Sequence, residues 1–189
     1  MSYECNDRKQ YKNVDDKPYG GGAGMVMQVQ PIRDCLAKIK ELEPETKVIY
    51  LSPQGEPLNQ KLVEKLAKFD SLTLLCGRYE GIDERVIEND IDYEVSIGDY
   101  VISGGELASM VLIDAVSRRI DNVLGNKDSL NDSFTVNLLD HPHYTRPESI
   151  DGESVPDVLL SGNQAKIDAW RREQAIKKTK QKRPDILSR

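Results

Sequence analysis

The stretch Lys47–Gly81, KVIYLSPQGEPLNQKLVEKLAKFDSLTLLCGRYEG, decides the fold class. Val48-Ile49-Tyr50-Leu51 and Leu72-Thr73-Leu74-Leu75 are short apolar runs, the signature of strands covered on both faces. Between them Leu58, Leu62, Val63, Leu66 and Phe69 recur at helical spacing. Strand, helix and strand in this order predict an α/β domain with a largely parallel sheet. Ligands of such sheets sit beyond the carboxyl ends of the strands. Here those ends carry Ser52-Pro53-Gln54-Gly55 and Cys76–Arg85, two turn-rich peptides that neighbouring strands would present to one crevice.

Working outward, Ile32–Lys40 and Glu106–Ile120 read as further helices, the latter with Leu107, Met110, Val111 and Ala115 on one face. Two more loops share the glycine-rich, polar character. Pro18–Met25 has glycine at positions 20, 21, 22 and 24, which allows close backbone approach. It fits neither a P-loop nor a GxGxxG register, so a turn and a ligand loop both remain open. In Ser96–Leu107, Gly104-Gly105 stands just before a helix and leaves backbone N–H groups unpaired. Such a helix start either holds a carboxylate or is capped by Ser103. The charges of Cys76–Arg85 suit a capped helix start with surface ion pairs as well as a site. Arg118 stands four residues after Asp114, a spacing at which one supports the other. His141 and His143 lack further ligand spacing and do not predict a metal site.

Composition bounds the rest. The chain has 189 residues, 21.3 kDa, with 38% apolar and 31% charged residues, an ordinary globular composition with length for a real core. No apolar run approaches the ~18–20 residues of a membrane helix, so no membrane association is expected. The start MSYECNDRKQ has no apolar signal region, and Cys5, Cys35 and Cys76 show no metal-type spacing. A reducing, cytoplasmic location is expected. A net charge of −6 and a pI near 5.1 speak, as averages, against nucleic acid. The average hides an asymmetry. Trp170–Arg189 carries eight basic and two acidic residues, or +6, which leaves −12 for the remainder. Periodicity stops from Asn122 to Asn137, which reads as a linker. A proline-rich stretch and then a helix over Gln164–Lys182 follow.

Seven motifs occur in order: VDDKPYGGGAGM (Val14–Met25), YLSPQG (Tyr50–Gly55), CGRYEGIDER (Cys76–Arg85), SIGDYVISGGEL (Ser96–Leu107), DSF (Asp132–Phe134), DHPHYTRPE (Asp140–Glu148) and VLLSGN (Val158–Asn163). This series closely resembles the bacterial tRNA (guanine-N1-)-methyltransferases, the TrmD type of the SPOUT class, over about Val14–Leu187. The resemblance implies a trefoil-knotted parallel-sheet domain that binds S-adenosylmethionine, here residues 1–124. It further implies a linker, 125–139, and a small helical C-terminal domain that binds tRNA, 140–189. The general rule against knotted connections means that the knot enters through the resemblance alone.

By the same resemblance, the cofactor is held by Tyr50, Leu51, Ser52, Pro53 and Gly55, by Gly77, Tyr79, Glu80 and Gly81, and by Ser96, Ile97, Gly98, Tyr100, Ile102, Gly104, Gly105 and Leu107. Gly24 matches a position that approaches the target base, and Arg118 the arginine beside the target guanine. Asp132 matches the general base, supplied across the interface of a homodimer. The implied reaction moves a methyl group to N1 of the guanine 3′ of the anticodon (guanosine-37) in tRNA. Guanine N1 carries a proton, so a carboxylate base such as Asp132 suits the step, and Arg118 suits the charge that grows on O6. Lys177, Lys178, Lys180, Lys182 and Arg183 are expected to meet tRNA phosphates.

Ala23 and Ala108 replace prolines common in the family. The resemblance also leads one to expect a further strand and helix ahead of Val14, where this chain has 13 residues, and a longer C-terminus. A truncated chain is therefore expected. The alternatives are a fragment that binds the cofactor without turnover, or a SPOUT enzyme with another RNA target; no metal requirement is legible.

Overall fold

The computed structural model describes residues 13–121, 123, 133–134 and 136–188. The chain divides into two compact units, Met1–Leu124 and Gly125–Arg189. In the first, β1 (Asp15–Asp16) pairs antiparallel with β2 (Val26–Met27), and α1 (Val29–Leu42) follows. Then β3 (Lys47–Pro57), α2 (Gln60–Leu66), β4 (Leu72–Cys76), α3 (Glu84–Asp90), β5 (Tyr93–Ser96) and α4 (Gly105–Ser117) alternate. The three longer strands form a parallel sheet in the order β4-β3-β5. The α/β reading of Lys47–Gly81 therefore holds.

Side-chain alternation on β3 divides the core in two. Val48 and Tyr50 pack with Ile32 and Leu36 of α1, Ile82, and Val86 of α3. Ile49 and Leu51 pack with Leu62, Val63 and Leu66 of α2 and with Ala108, Leu112 and Val116 of α4. Helices on both faces are why β3 reads as a continuous apolar run and not as an alternating one. Each fully buried Val, Leu or Ile contributes roughly 1.5–3 kcal/mol.

The ladder between β3 and β5 breaks after Leu51↔Val95 and resumes at Glu56↔Val95. Ser52–Gly55 thus loops out of the sheet, as its turn-rich composition suggests. A Cβ at Gly55 would run into the β5 main chain at Glu94 and Val95, so the excursion needs glycine there. Asn59 caps α2 by accepting from the Leu62 N–H at 3.0 Å. Asp83 caps α3 in the same way, accepting from the Arg85 N–H at 3.0 Å. The α4 helix ends at Ser117, three residues before the end its periodicity suggests. Arg119 and Ile120 bond back to Val116 and Ser117, a tighter i→i−3 turn that closes the helix.

The second unit begins, among the described residues, with the strap that leads to β6 (Ser149–Ile150) and β7 (Glu153–Ser154). These two strands form an antiparallel hairpin closed by Asp151-Gly152, both at positive φ, the two-residue turn that suits strand twist. Short α5 (Asp157–Leu160) and long α6 (Gln164–Lys182) follow, and Asn163 caps α6 through the Lys166 N–H. The 3₁₀ turn Pro184–Ser188 folds back on α6 and buries Ile186. Fully buried Thr179 donates to the Ala175 carbonyl at 2.7 Å and accepts from the Leu139 N–H at 2.9 Å. That pair of bonds pins the strap to α6. Much of the linker expected over 125–139, Asp132 included, lies outside the described residues, as do Cys5 and the rest of 1–12.

Candidate cofactor cleft and nucleic-acid surface

The break in the β3 ladder and the carboxyl ends of β4 and β5 open on one cleft of about 220 Å³. At the break in the β3 ladder it is lined by Tyr50, Leu51, Ser52, Pro53 and Gln54, and after β4 by Gly77, Arg78, Tyr79, Glu80 and Gly81. From β5 and the loop beyond come Val95, Ser96, Ile97, Gly98, Tyr100, Val101, Ile102, Ser103, Gly104 and Gly105, with Ala108 of α4. Two residues expected there do not line it. Gly55 is packed on the β5 main chain, and the Leu107 side chain faces outward from α4, 64% exposed. Sequence reasoning missed Gln54, Arg78, Val95, Val101, Ser103 and Ala108. All but Val95 and Ala108 sit inside the quoted loops, so loop membership was the usable signal.

The cleft is made by tight main-chain packing. The Gly105 N–H donates to the Gly77 carbonyl at 3.0 Å, and a Cβ at Gly105 would lie 2.8 Å from the Cys76 Cα. The start of α4 is thereby locked to the end of β4. Gly104 is the N-cap of α4 and provides no side-chain cap, and Ser103 does not fill that role. The next amides, of Glu106 and Leu107, have no intrahelical acceptor. Tyr50 is buried with its ring against Gly77. Burial, and then the Glu94 charge, push the Tyr50 phenol above its ordinary value, and a hydrogen bond from the Ile82 N–H opposes them. Ser96 Oγ turns the chain by accepting from the Gly98 N–H at 3.2 Å.

The glycine loop joins this site through main-chain bonds. Met27 donates to the Gly81 carbonyl, Asp83 to Met27 and Glu80 to Met25, each at 3.0 Å. A Cβ at Gly24 would strike the Glu80 side chain, so the absence of one lets the Glu80 carboxyl group lie against this loop. Arg78 forms an exposed ion pair with Glu106 at 2.9 Å.

Arg118 is placed elsewhere. It caps the C-terminal end of α4, exposed, with its N–H on the Asp114 carbonyl. Ala108 is ten residues earlier on the helix, so about 15 Å of helix axis separates Arg118 from the cleft. On α6, Lys177, Lys180 and Lys182 are exposed and Lys178 is half-buried. Arg183 is engaged by Asp185 through two bonds of 2.9 Å.

A family model described as tRNA (Guanine-1)-methyltransferase TrmD matches residues 4–189. The chain belongs to this family. It is 56% identical over 184 residues to the tRNA (guanine-N(1)-)-methyltransferase of Nitrosospira multiformis, covering 94% of this chain and 72% of that protein. It is 59% identical over 179 residues to the protein of that name in Shewanella piezotolerans, with the same coverage of 94% and 72%. In the Marinomonas sp. protein of that name, identity is 57% over 178 residues, covering 94% and 71%. The motifs that line the cleft lie within the matched region. Among the described residues no helix is long and apolar enough to cross a membrane.

Proposed function

We propose that this chain transfers a methyl group from S-adenosylmethionine to N1 of the guanine 3′ of the anticodon in tRNA, guanosine-37. The observation that carries the reading is one cleft where the β3 ladder break meets the ends of β4 and β5, packed so tightly that a Cβ at Gly77 would press on the Tyr50 ring and one at Gly105 on the Cys76 main chain. The lining fits the donor. It offers polar main-chain groups, the Ser52 and Ser103 hydroxyls, the apolar walls of Leu51, Ile97 and Ile102, and the carboxylate of Glu80 for a cationic centre. The amides of Glu106 and Leu107 at the uncapped start of α4 suit a carboxylate or ribose oxygen. The donor's chemistry is an already activated methyl on a cationic sulfur.

The protein's task is alignment, worth up to ~7–11 kcal/mol of barrier, and proton management. In this reading Asp132 takes the N1 proton of guanine, and the Arg118 guanidinium stabilises the charge that collects on O6. Gly24 leaves room for the base beside Glu80. The SPOUT knot belongs to the same reading, supported by the return of the chain after β5 to the end of β4, where Gly105 bonds Gly77.

The distance from the cleft to Arg118 along α4 supports a site completed by a second copy. So does the apolar outer surface of α4, where Leu107, Met110, Val111 and Ile113 are all exposed. In the homodimer these side chains would be covered, and the cleft of one copy would meet Arg118 and Asp132 brought by the pair. Residues 1–124 then serve as the cofactor domain, 125–139 as the linker and 140–189 as the tRNA grip, with Lys177, Lys178, Lys180 and Lys182 on phosphates.

Transfer of labelled methyl to unmodified tRNA tests the reading. Asp132→Asn is expected to keep cofactor affinity and to lose ~10²-fold or more in turnover. Arg118→Ala should lose ~10²–10³-fold. Label incorporated into tRNA that lacks guanine at that position would refute the assignment. Unchanged turnover in either variant would remove that residue from its role.

A further inference from the structure

We infer that Asp140, His141 and His143 form a binding site for one divalent transition-metal ion of the zinc type. One ligand atom from each of the three lies within 4.8 Å of the others. The sequence offered only the two histidines, and the fold adds the third donor. His141 Nδ1 lies 3.0 Å from the Pro142 carbonyl oxygen. A carbonyl only accepts, so Nδ1 is the protonated nitrogen, and in the neutral ring Nε2 carries a bare lone pair. That lone pair faces Asp140 Oδ1 at 3.7 Å. Two acceptors aimed at each other are repulsive unless a proton or a metal cation sits between them, so the pair is a ready seat for either. The Nδ1–H bond to a carbonyl is also the outer contact that fixes the tautomer of a metal-ligating imidazole.

His143 approaches the same carboxylate through its own Nε2, 2.8 Å from Oδ2. The two rings lie 4.5 Å apart, so both Nε2 atoms converge on one carboxyl group. Asp140 is itself anchored. Its N–H donates to Ser133 Oγ at 2.9 Å, and its Oδ1 accepts from the His141 N–H at 2.7 Å. The preceding Leu139 N–H is held by buried Thr179 of α6. Two ligands are therefore fixed, while exposed His143 is able to turn into bonds of ~2.0–2.2 Å. Ligation through His143 Nε2 replaces its hydrogen bond to Asp140, and the N–H proton of the neutral ring moves to Nδ1.

Two imidazoles and one carboxylate select zinc, cobalt or nickel over magnesium or calcium, which prefer all-oxygen shells. Three protein ligands leave a further position open. Both histidines line a cavity of about 950 Å³ that also receives Arg146 and Arg171, so the open position faces a chamber suited to water or an anionic oxygen.

The test uses the 189-residue chain without an affinity tag, stripped by chelator and titrated with Co²⁺ and then Zn²⁺. One equivalent of Co²⁺ should give visible d–d absorption with no thiolate charge-transfer band, and Zn²⁺ should displace it. Thermal unfolding should shift upward with Zn²⁺. His143→Gln, at an exposed side chain, should weaken uptake by ~10-fold or more while leaving the metal-free melting curve unchanged. No uptake by the native chain would overturn the proposal. So would a thiolate band, or uptake that survives in H141Q/H143Q, which removes both histidines of the chain.

Discussion

The α/β unit buries two apolar clusters around a parallel sheet, while in the second unit the buried described residues are Ala175, Thr179 and Ile186. Charge runs the other way. The first unit, residues 1–124, carries −7, and the second, residues 125–189, carries +1, with +6 concentrated in its last 20 residues. On the proposed function, the contrast follows from what each region would hold. A cleft of main-chain amides and carbonyls works only if the strand ends cannot shift, and that demands a deep core beneath them. Phosphates are held by charge at a surface, which needs exposed lysines and little burial. The net charge of −6 hides the basic last 20 residues altogether.

The largest effect that sharpens this comparison is on stability. Leu112, 1% exposed between α4 and the sheet, should cost about 2–5 kcal/mol when cut to alanine. Urea unfolding should show that loss together with weaker cofactor binding, because α4 also forms the cleft wall. Ile186→Ala removes a buried side chain from the second unit and should leave cofactor affinity unchanged. If Ile186→Ala weakened cofactor binding as much as Leu112→Ala, the two units would not be energetically separate.

Next in size is the triple change K177A/K180A/K182A. Each lost phosphate contact should reduce the slope of log K against log salt by ~0.7–0.9, with cofactor affinity untouched. Arg183→Ala should change the slope less, since Asp185 already engages that guanidinium. A slope unaltered by the triple variant would move the tRNA surface off α6.

The same contrast governs what was legible in the sequence. Lys47–Gly81 was readable because a buried β-α-β unit writes its periods into apolar residues, and α6 matched its expected span, Gln164–Lys182, through its cap and spacing. The strand Tyr93–Ser96 was not read, being four residues long and interrupted by Glu94. The hairpin at Asp151-Gly152 was missed although its turn residues carry the signal, because its strands are two residues each. The cleft loops were recognisable as loops. Their convergence depends on strand order β4-β3-β5, which no local pattern contains. The position of Arg118 at the far end of α4 is likewise a consequence of helix length, and Asp140 became a candidate ligand only once the His141 ring was oriented by Pro142.

The smallest effect concerns the loop that carries Glu80 into the cleft. Asp83 closes that loop by capping α3 and by a two-bond pair with Arg85 at 2.7–2.8 Å. The side-chain bond from Arg85 lowers the Asp83 carboxyl most, burial opposes, and the Arg85 N–H adds to the lowering. A carboxyl group depressed in the folded state adds stability above its unfolded value, near ~3.9, and that contribution disappears as pH falls through the folded value. Asp83→Asn keeps a good N-cap but discards the charge. Its cost at neutral pH should therefore be only that of a surface pair, below ~1 kcal/mol. The gap in melting temperature from the native chain should narrow below about pH 4, and it should narrow in high salt at neutral pH. Equal gaps at acid and neutral pH would show that main-chain geometry and not charge sets the position of this loop, extending the rigid-scaffold rule of the first unit to the rim of its cleft.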